Sequence, residues 1–203
     1  MHRDVELPTG DLLIHAGDIT FFSKRSSVLA DFNDWLGEQP HRYKVVIPGN
    51  HDRLLSLPEN RRLITKAHLL INSGVELGGA KIWGSPITIH PDVAFGLPDL
   101  AARRELWTKI PDGLDILVTH GPPAGVLDGT SSEGPGSGCA ELRKAIALKQ
   151  PRVHVFGHAH GAYGTKAIAN TLFINAALAG KFGDLDKAPV WFTMELRNLR
   201  KGM

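Results

Sequence analysis

With 203 residues, 42% of them apolar, the chain can bury one sizeable core, and a single domain over residues 1–203 is expected. Lysine and arginine number 23 against 21 acids, a near balance that gives no electrostatic reason to expect nucleic acid as a partner. A single cysteine, Cys139, excludes an internal disulfide framework and agrees with a reducing, cytoplasmic compartment. The start "MHRDVELPTGD" is polar and does not read as a signal peptide, and the apolar runs are strand-sized, so no membrane anchor is expected.

In chain order, "DLLIHAGD" (11–18) opens with mostly apolar residues and ends at a glycine turn carrying a carboxylate. "SSVLADFNDWLGEQP" (26–40) reads as a helix, with Ser26 or Ser27 as cap, one stripe of Leu29, Phe32, Trp35 and Leu36, and Gly37 and Pro40 to end it. "KVVIPGNHD" (44–52) repeats the layout of the first segment. "LLINSGVELGGAKIWGSP" (69–86) reads as a hairpin, and "DLAARRELWTKIP" (99–111) as a helix closed by proline. "DILVTHG" (115–121) is a third strand with a polar end, and "DGTSSEGPGSG" (128–138) a mobile loop with no means of packing a core. "GCAELRKAIALKQP" (138–151) is a helix with Cys139 as a small residue at its start. "VHVFGHAH" (153–160) is the fourth strand of the first type. "KAIANTLFINAA" (166–177) is a hairpin turning near Asn170-Thr171, and "PVWFTMEL" (189–196) is a last strand. Strands alternating with helices, plus hairpins, predict an α/β layered fold. The four tryptophans fall in patterned elements and are expected in the core. The arginine pairs at 61–62 and 103–104 are expected on solvated helix faces.

Ligands in such folds bind beyond the carboxyl ends of the strands. Four strand ends there carry Asp18, Asn50, His51, Asp52, His120, His158 and His160, and no thiolate. Each cluster alone is weak, because GD and GN are ordinary turn dipeptides. Together they offer oxygen and imidazole donors, which suit Mn, Fe, Zn or Mg better than a cysteine-rich structural zinc. His15 and His154 lie inside strands and read as packed core residues, while His41, His68 and His90 stand apart from the clusters.

The ordered set "GD" (17–18), "GNHD" (49–52), "THG" (119–121) and "GHAH" (157–160) resembles the calcineurin-like metallophosphoesterases. The stretches "FNDWLG" (32–37), "DILVTHGPP" (115–123), "HVFGHAHGAYGT" (154–165) and "INA" (174–176) are similar to its metallophosphoesterase-domain-containing subgroup. The resemblance implies a β-sandwich flanked by helices (αββα layers), two divalent metals, manganese foremost, bridged by a hydroxide, and hydrolysis of phosphate monoesters or diesters, cyclic nucleotides among them. It implies that Asp18 bridges the metals, that Asn50, His120 and His158 complete one shell, and that His160 belongs to the other. It makes His51 the group that protonates the leaving oxygen. Asp52 either orients His51 and raises its pKa by ion pairing or is a solvated turn carboxylate.

One departure stands out. The family opens on a strand ending in Asp-x-His, and no such motif precedes Gly17-Asp18 here. The expectation is a domain shortened at its N-terminus relative to the family, with a weakened second metal site and as few as one ion in this chain. An uncovered internal strand edge would follow, favouring instability, strand borrowing or a homodimer. The alternative expectation is a catalytically crippled metal- or nucleotide-binding protein that retains the fold.

Overall fold

The structure, a computed structural model, describes residues 2–129, 136–180 and 184–196. The apolar runs read from the sequence become strands. Leu12–His15 (β1), Tyr43–Val46 (β2) and His68–Leu69 (β3) form a parallel three-stranded sheet in that order. Ser73–Leu77 (β4), Ala80–Ser85 (β5), Ile116–Thr119 (β6), Val153–Phe156 (β7), Gly164–Ile168 (β8) and Thr171–Asn175 (β9) form a mixed sheet of order β4-β5-β6-β7-β9-β8. Both predicted hairpins are present, β4-β5 and β8-β9 being antiparallel. The second turns at Ala169-Asn170, with Ala169 at φ 50°.

The period-2 geometry of a strand explains the layering. Val45 and Ile47 point into a cluster with Ile82, Ile116, Val118, Val153, Val155 and Ile174, the apolar layer between the two sheets. Their neighbour Val46 points the other way, onto Leu29, Phe32, Trp35 and Leu36 of Ser26–Glu38 (α1). Beyond α1 come a short helix, Arg53–Ser56 (α2), then Leu100–Thr108 (α3) and Ala140–Lys149 (α4). On the far face of the second sheet, Leu117, Phe156 and Phe173 pack with Trp107 of α3 and Ile146 of α4. The result is an α/β fold whose parallel and mixed sheets are flanked by helices.

Several local expectations are revised. Helix α1 starts from Arg25 with no side-chain cap, and it runs through Gly37 to Glu38. Cys139 does stand at the start of α4, buried as its N-cap, and its sulfur accepts from Leu142 N at 3.4 Å. Arg103 is not a surface decoration, since it donates to the Leu97 and Pro98 carbonyls at 2.7 and 2.6 Å and so ties down the entry to α3. Residues 189–196, expected as a last strand, enter no ladder among the described residues. Val190, Phe192, Met194 and Leu196 still turn toward the central apolar layer, which leaves Trp191 72% exposed rather than in the core. Alternation fixed the faces of this segment, but a ladder also requires an adjacent strand edge. The outer edge of β1 pairs with no described strand, and its four residues are half-buried. A cleft of about 1860 Å³ runs along that edge between Leu12, Ile14, Phe192 and Met194, and it extends to the polar strand ends. The loop expected over 128–138 falls largely outside the described residues.

His154 of β7 is fully buried against Phe156 and Phe173. The Thr119 hydroxyl donates to the Gly121 carbonyl at 2.7 Å, so it accepts from His154 Nε2–H at 2.8 Å and fixes the neutral tautomer. Burial pushes the His154 pKa down from 6.5 to about 3. A depressed histidine pKa gives stability that is whole above pH 6.5 and is lost as pH falls toward 3, because only the unfolded chain takes up the proton in that window. The cost grows by about 1.4 kcal/mol per pH unit below 6.5. Urea midpoints of His154→Phe should therefore fall less steeply than those of the parent between pH 7 and pH 5. Equal slopes would remove His154 as the acid-sensitive group.

Candidate metal centre

The site sits where the carboxyl ends of β1, β2, β6 and β7 meet. β1 leads into Gly17, at φ 100°, a conformation that glycine tolerates. Space imposes the same choice, since a Cβ on Gly17 would stand 2.5 Å from His120 Nδ1 and 2.8 Å from the Pro48 carbonyl. Gly49, after β2, is equally constrained because a Cβ there would overlap Asp18 Oδ1. The turns carrying Asp18 and Asn50 therefore touch through bare backbone, with the His120 ring packed against both glycines. Asp18 (φ 58°) and His158 (φ 66°) are themselves held in the left-handed region. Strain of this kind persists where the surroundings enforce it, and it gathers at functional sites.

Four side chains converge. Asn50 Oδ1 lies 2.8 Å from His120 Nε2 and 2.9 Å from His158 Nδ1, and Asp18 Oδ2 lies 3.3 Å from His120 Nε2. Asp18, His120 and His158 each offer a ligand atom within 4.8 Å of the others, the one such group of histidine, cysteine and acidic residues among the described residues. His120 is 1% exposed, and its Nδ1–H donates to the Ala16 carbonyl at 2.8 Å. That bond leaves the Nε2 lone pair facing two oxygens that also accept, a repulsive arrangement unless a cation stands among them. A proton can be that cation. Burial opposes charge on His120, but the adjacent Asp18 carboxylate outweighs it and lifts the imidazole pKa. Burial likewise opposes the Asp18 charge, and His120 with the His51 backbone N–H overcomes it, holding the carboxyl well below the usual range. His158 moves the other way, its pKa pushed down to about 3 by burial and then by His120, so it presents a neutral imidazole. One carboxylate, one carboxamide oxygen and two imidazoles fit a divalent metal of the Mn, Fe, Zn or Mg kind.

The remaining predicted residues surround this centre. The His51 backbone N–H donates to Asp18 Oδ1 at 2.9 Å, and its ring lies outside the converging four, stacked on Phe22 at 3.8 Å. Burial lowers the His51 pKa, with Asp18 pulling it up against that trend. The imidazolium is thus a stronger acid but less populated at neutral pH. Asp52 is fully buried rather than a solvated turn carboxylate. Its two oxygens accept from Gly49 N (2.7 Å), Thr20 N (2.8 Å) and Ile19 N (3.1 Å), and so clamp the Asp18 turn to the Asn50 turn. His160 faces the same cleft, with its Nδ1 3.2 Å from the Gly180 carbonyl, and stands outside the group of three. His2 is occupied elsewhere, 3.0 Å from Asp31 on α1.

Two features were missed. The His90 ring stands 5.2 Å from that of His158, whereas the sequence left it apart. Its signal was present, since β5 runs parallel to β6 and ends at Ser85, whose carbonyl accepts from His120 N at 3.0 Å. A histidine five residues past that end had a short path to the site. The Phe21-Phe22 pair beside His51 was also unremarked.

The chain matches the family model described as calcineurin-like phosphoesterase over residues 2–162. It belongs to that family. It is 38% identical over 203 residues to metallophosphoesterase domain-containing protein 1 of Homo sapiens and equally to that of Mus musculus, covering 86% of this chain and 61% of theirs. The chain thus spans less than two thirds of the length of those relatives. It is 33% identical to UPF0046 protein K07C11.7 of Caenorhabditis elegans, over 97% of this chain and 72% of that one. Among solved structures, TT1561 of Thermus thermophilus superposes with a TM-score of 0.56 at 15% identity, covering 82% of this chain and 76% of that one, which speaks for the fold. No helix among the described residues is long and apolar enough to cross a membrane.

Proposed function

We propose that the protein hydrolyses phosphate esters, diesters or monoesters with cyclic nucleotides among them, using a divalent metal, manganese first, held by Asp18, Asn50, His120 and His158. The observation that carries this reading is the convergence of two ring nitrogens on the Asn50 oxygen beside the Asp18 carboxylate. A divalent ion bound there would acidify a coordinated water and polarise the phosphoryl oxygens. The chain's own groups supply the rest. Asp18 contributes the negative charge that retains a cation, and the Ala16 carbonyl fixes the His120 tautomer that donates to it. His51, held at the edge of the centre, delivers a proton to the departing oxygen, an alkoxide being a poor leaving group without one. Asp52 acts through the backbone as a positioning residue that keeps the two turns in contact. His160 would be a ligand of a second ion, with Asp18 shared between the two.

The test is hydrolysis of bis-p-nitrophenyl phosphate and 2′,3′-cyclic nucleotides by purified protein with added manganese. Turnover is expected, with loss on chelation and return on re-addition, and persistence after complete metal removal would sink the reading. A second reading, a protein that keeps the fold and one metal without turnover, draws support from the single group of three donors among the described residues. Its signature in the same experiment is near one bound ion per chain and no product.

A further inference from the structure

We propose that Phe21 and Phe22 form an aromatic lip that stacks on a flat ring in the substrate's alcohol group, so that the protein prefers esters of ring-bearing alcohols. This rests on the ester-hydrolase reading of the site and names the part of the substrate that the metal centre does not touch. The two rings are 77% and 42% exposed, a placement that costs solvation of apolar surface unless something covers it. They are also next to the chemistry. Phe22 stacks on His51 with centroids 3.8 Å apart and planes 22° apart, and Phe21 lies 5.4 Å from the same imidazole. Phe21 stands edge-on to Phe22 at 5.5 Å and 67°, and it is the more exposed of the two.

The backbone is bent to achieve this. Phe22 is at φ 53°, a conformation that bulky side chains avoid, and a solvated tip would relax from it without penalty. The Arg53 guanidinium lies 6.0 Å from the Phe22 centroid and donates to the Asp92 carbonyl at 3.3 Å, which ties a neighbour of the lip to a second loop. Phe21 lines the same cleft as Asp18, His51, His120 and His158. The geometry then selects the ligand. The group bonded to the departing oxygen must pass His51, and Phe21, centred 5.4 Å from that imidazole, stands close enough beside that path for a flat ring on the group to meet it. A nucleobase and a simple aryl ring share this chemistry, and two substrate pairs distinguish them.

Each pair keeps the reacting ester and varies the ring. Adenosine 2′,3′-cyclic phosphate is compared with 1-O-methylribose 2′,3′-cyclic phosphate, and benzyl phosphate with cyclohexylmethyl phosphate. The parent protein is expected to favour the flat member of at least one pair by about tenfold in kcat/KM, the scale of one aromatic–base stack. Phe21→Ala should bring that ratio to about one, and Phe21→Trp should keep it. Calorimetric titration of the manganese-loaded protein with the non-hydrolysable phosphonate analogues of adenosine monophosphate and ribose 5-phosphate, in which a methylene replaces the ester oxygen, gives a readout independent of turnover, with the same about tenfold preference expected for the former and lost in Phe21→Ala. Preference in the first pair alone assigns a nucleobase, and in both pairs any flat ring. If no ester is turned over, the hydrolase reading falls while the calorimetric ratio still reports on the lip. Equal ratios in the parent and Phe21→Ala, in turnover and in binding, overturn the lip, as does a Phe21→Ala effect confined to oligomeric state.

Discussion

His51→Ala is expected to lower turnover of alkyl phosphate esters by about 10²- to 10⁴-fold while leaving metal affinity near the parent value, the range of a lost general acid. The separation of the two effects comes from where the residue sits. Its ring is outside the group that converges on Asn50 Oδ1, and its contribution to the centre is a backbone N–H to Asp18, which alanine retains. Truncating the ring therefore removes a proton donor and a stacking partner for Phe22 without removing a donor atom from the metal. The leaving group supplies the decisive control. A nitrophenolate departs without a proton, so p-nitrophenyl esters should lose far less rate than alkyl esters. An equal loss with both would show that His51 serves orientation rather than proton transfer, and metal released in parallel would place it among the ligands.

The second large effect is expected at the donors themselves. Asp18→Asn keeps the shape of the side chain, its left-handed backbone and an oxygen toward His120, while deleting the only carboxylate of the group of three. Metal affinity should fall at least about 10- to 100-fold, the loss seen when even an outer partner of a ligand is removed. Activity at low manganese should fall with it and recover in part as manganese is raised. His120→Ala should be more severe, because it deletes a ligand, leaves the Ala16 carbonyl without its donor and opens a void at a residue 1% exposed. Thermal denaturation of both variants separates the causes. A His120→Ala protein that unfolds early says little about the metal, whereas Asp18→Asn gives up the ion pair with His120 but leaves no void and should melt above His120→Ala. An Asp18→Asn protein that binds manganese at parental strength would remove the proposed centre.

How much was legible beforehand differs from residue to residue for physical reasons. Strand runs such as "VVI" and "ILVT" and the Leu29, Phe32, Trp35, Leu36 stripe of α1 are local patterns, and their burial follows from the period of the element they form. Residues 189–196 show the limit of that inference. Phe192 and Met194 turn inward while Trp191, expected in the core, turns outward, and the expected strand finds no ladder, because pairing is a property of two segments and only one of them is in the pattern. Cys139 as a cap and Arg103 as a brace were invisible in the same way, since each depends on which backbone group lies within reach of its tip.

The site divides along the same line. By itself the sequence determined the donor chemistry, carboxylate, carboxamide and imidazole without thiolate, and it placed each donor just past a strand, because residue type and strand ends are local facts. Only the tertiary structure decided which of them meet. Asp18, Asn50, His120 and His158 converge because bare glycines let two turns touch and left-handed backbone aims two of the side chains. His160, two residues from His158, turns instead to the Gly180 carbonyl, Asp52 turns to three backbone N–H groups, and His90 arrives beside His158 from five residues past the end of β5. Direction and distance between segments more than a hundred residues apart are set by packing, and packing is written in the whole chain rather than in any motif.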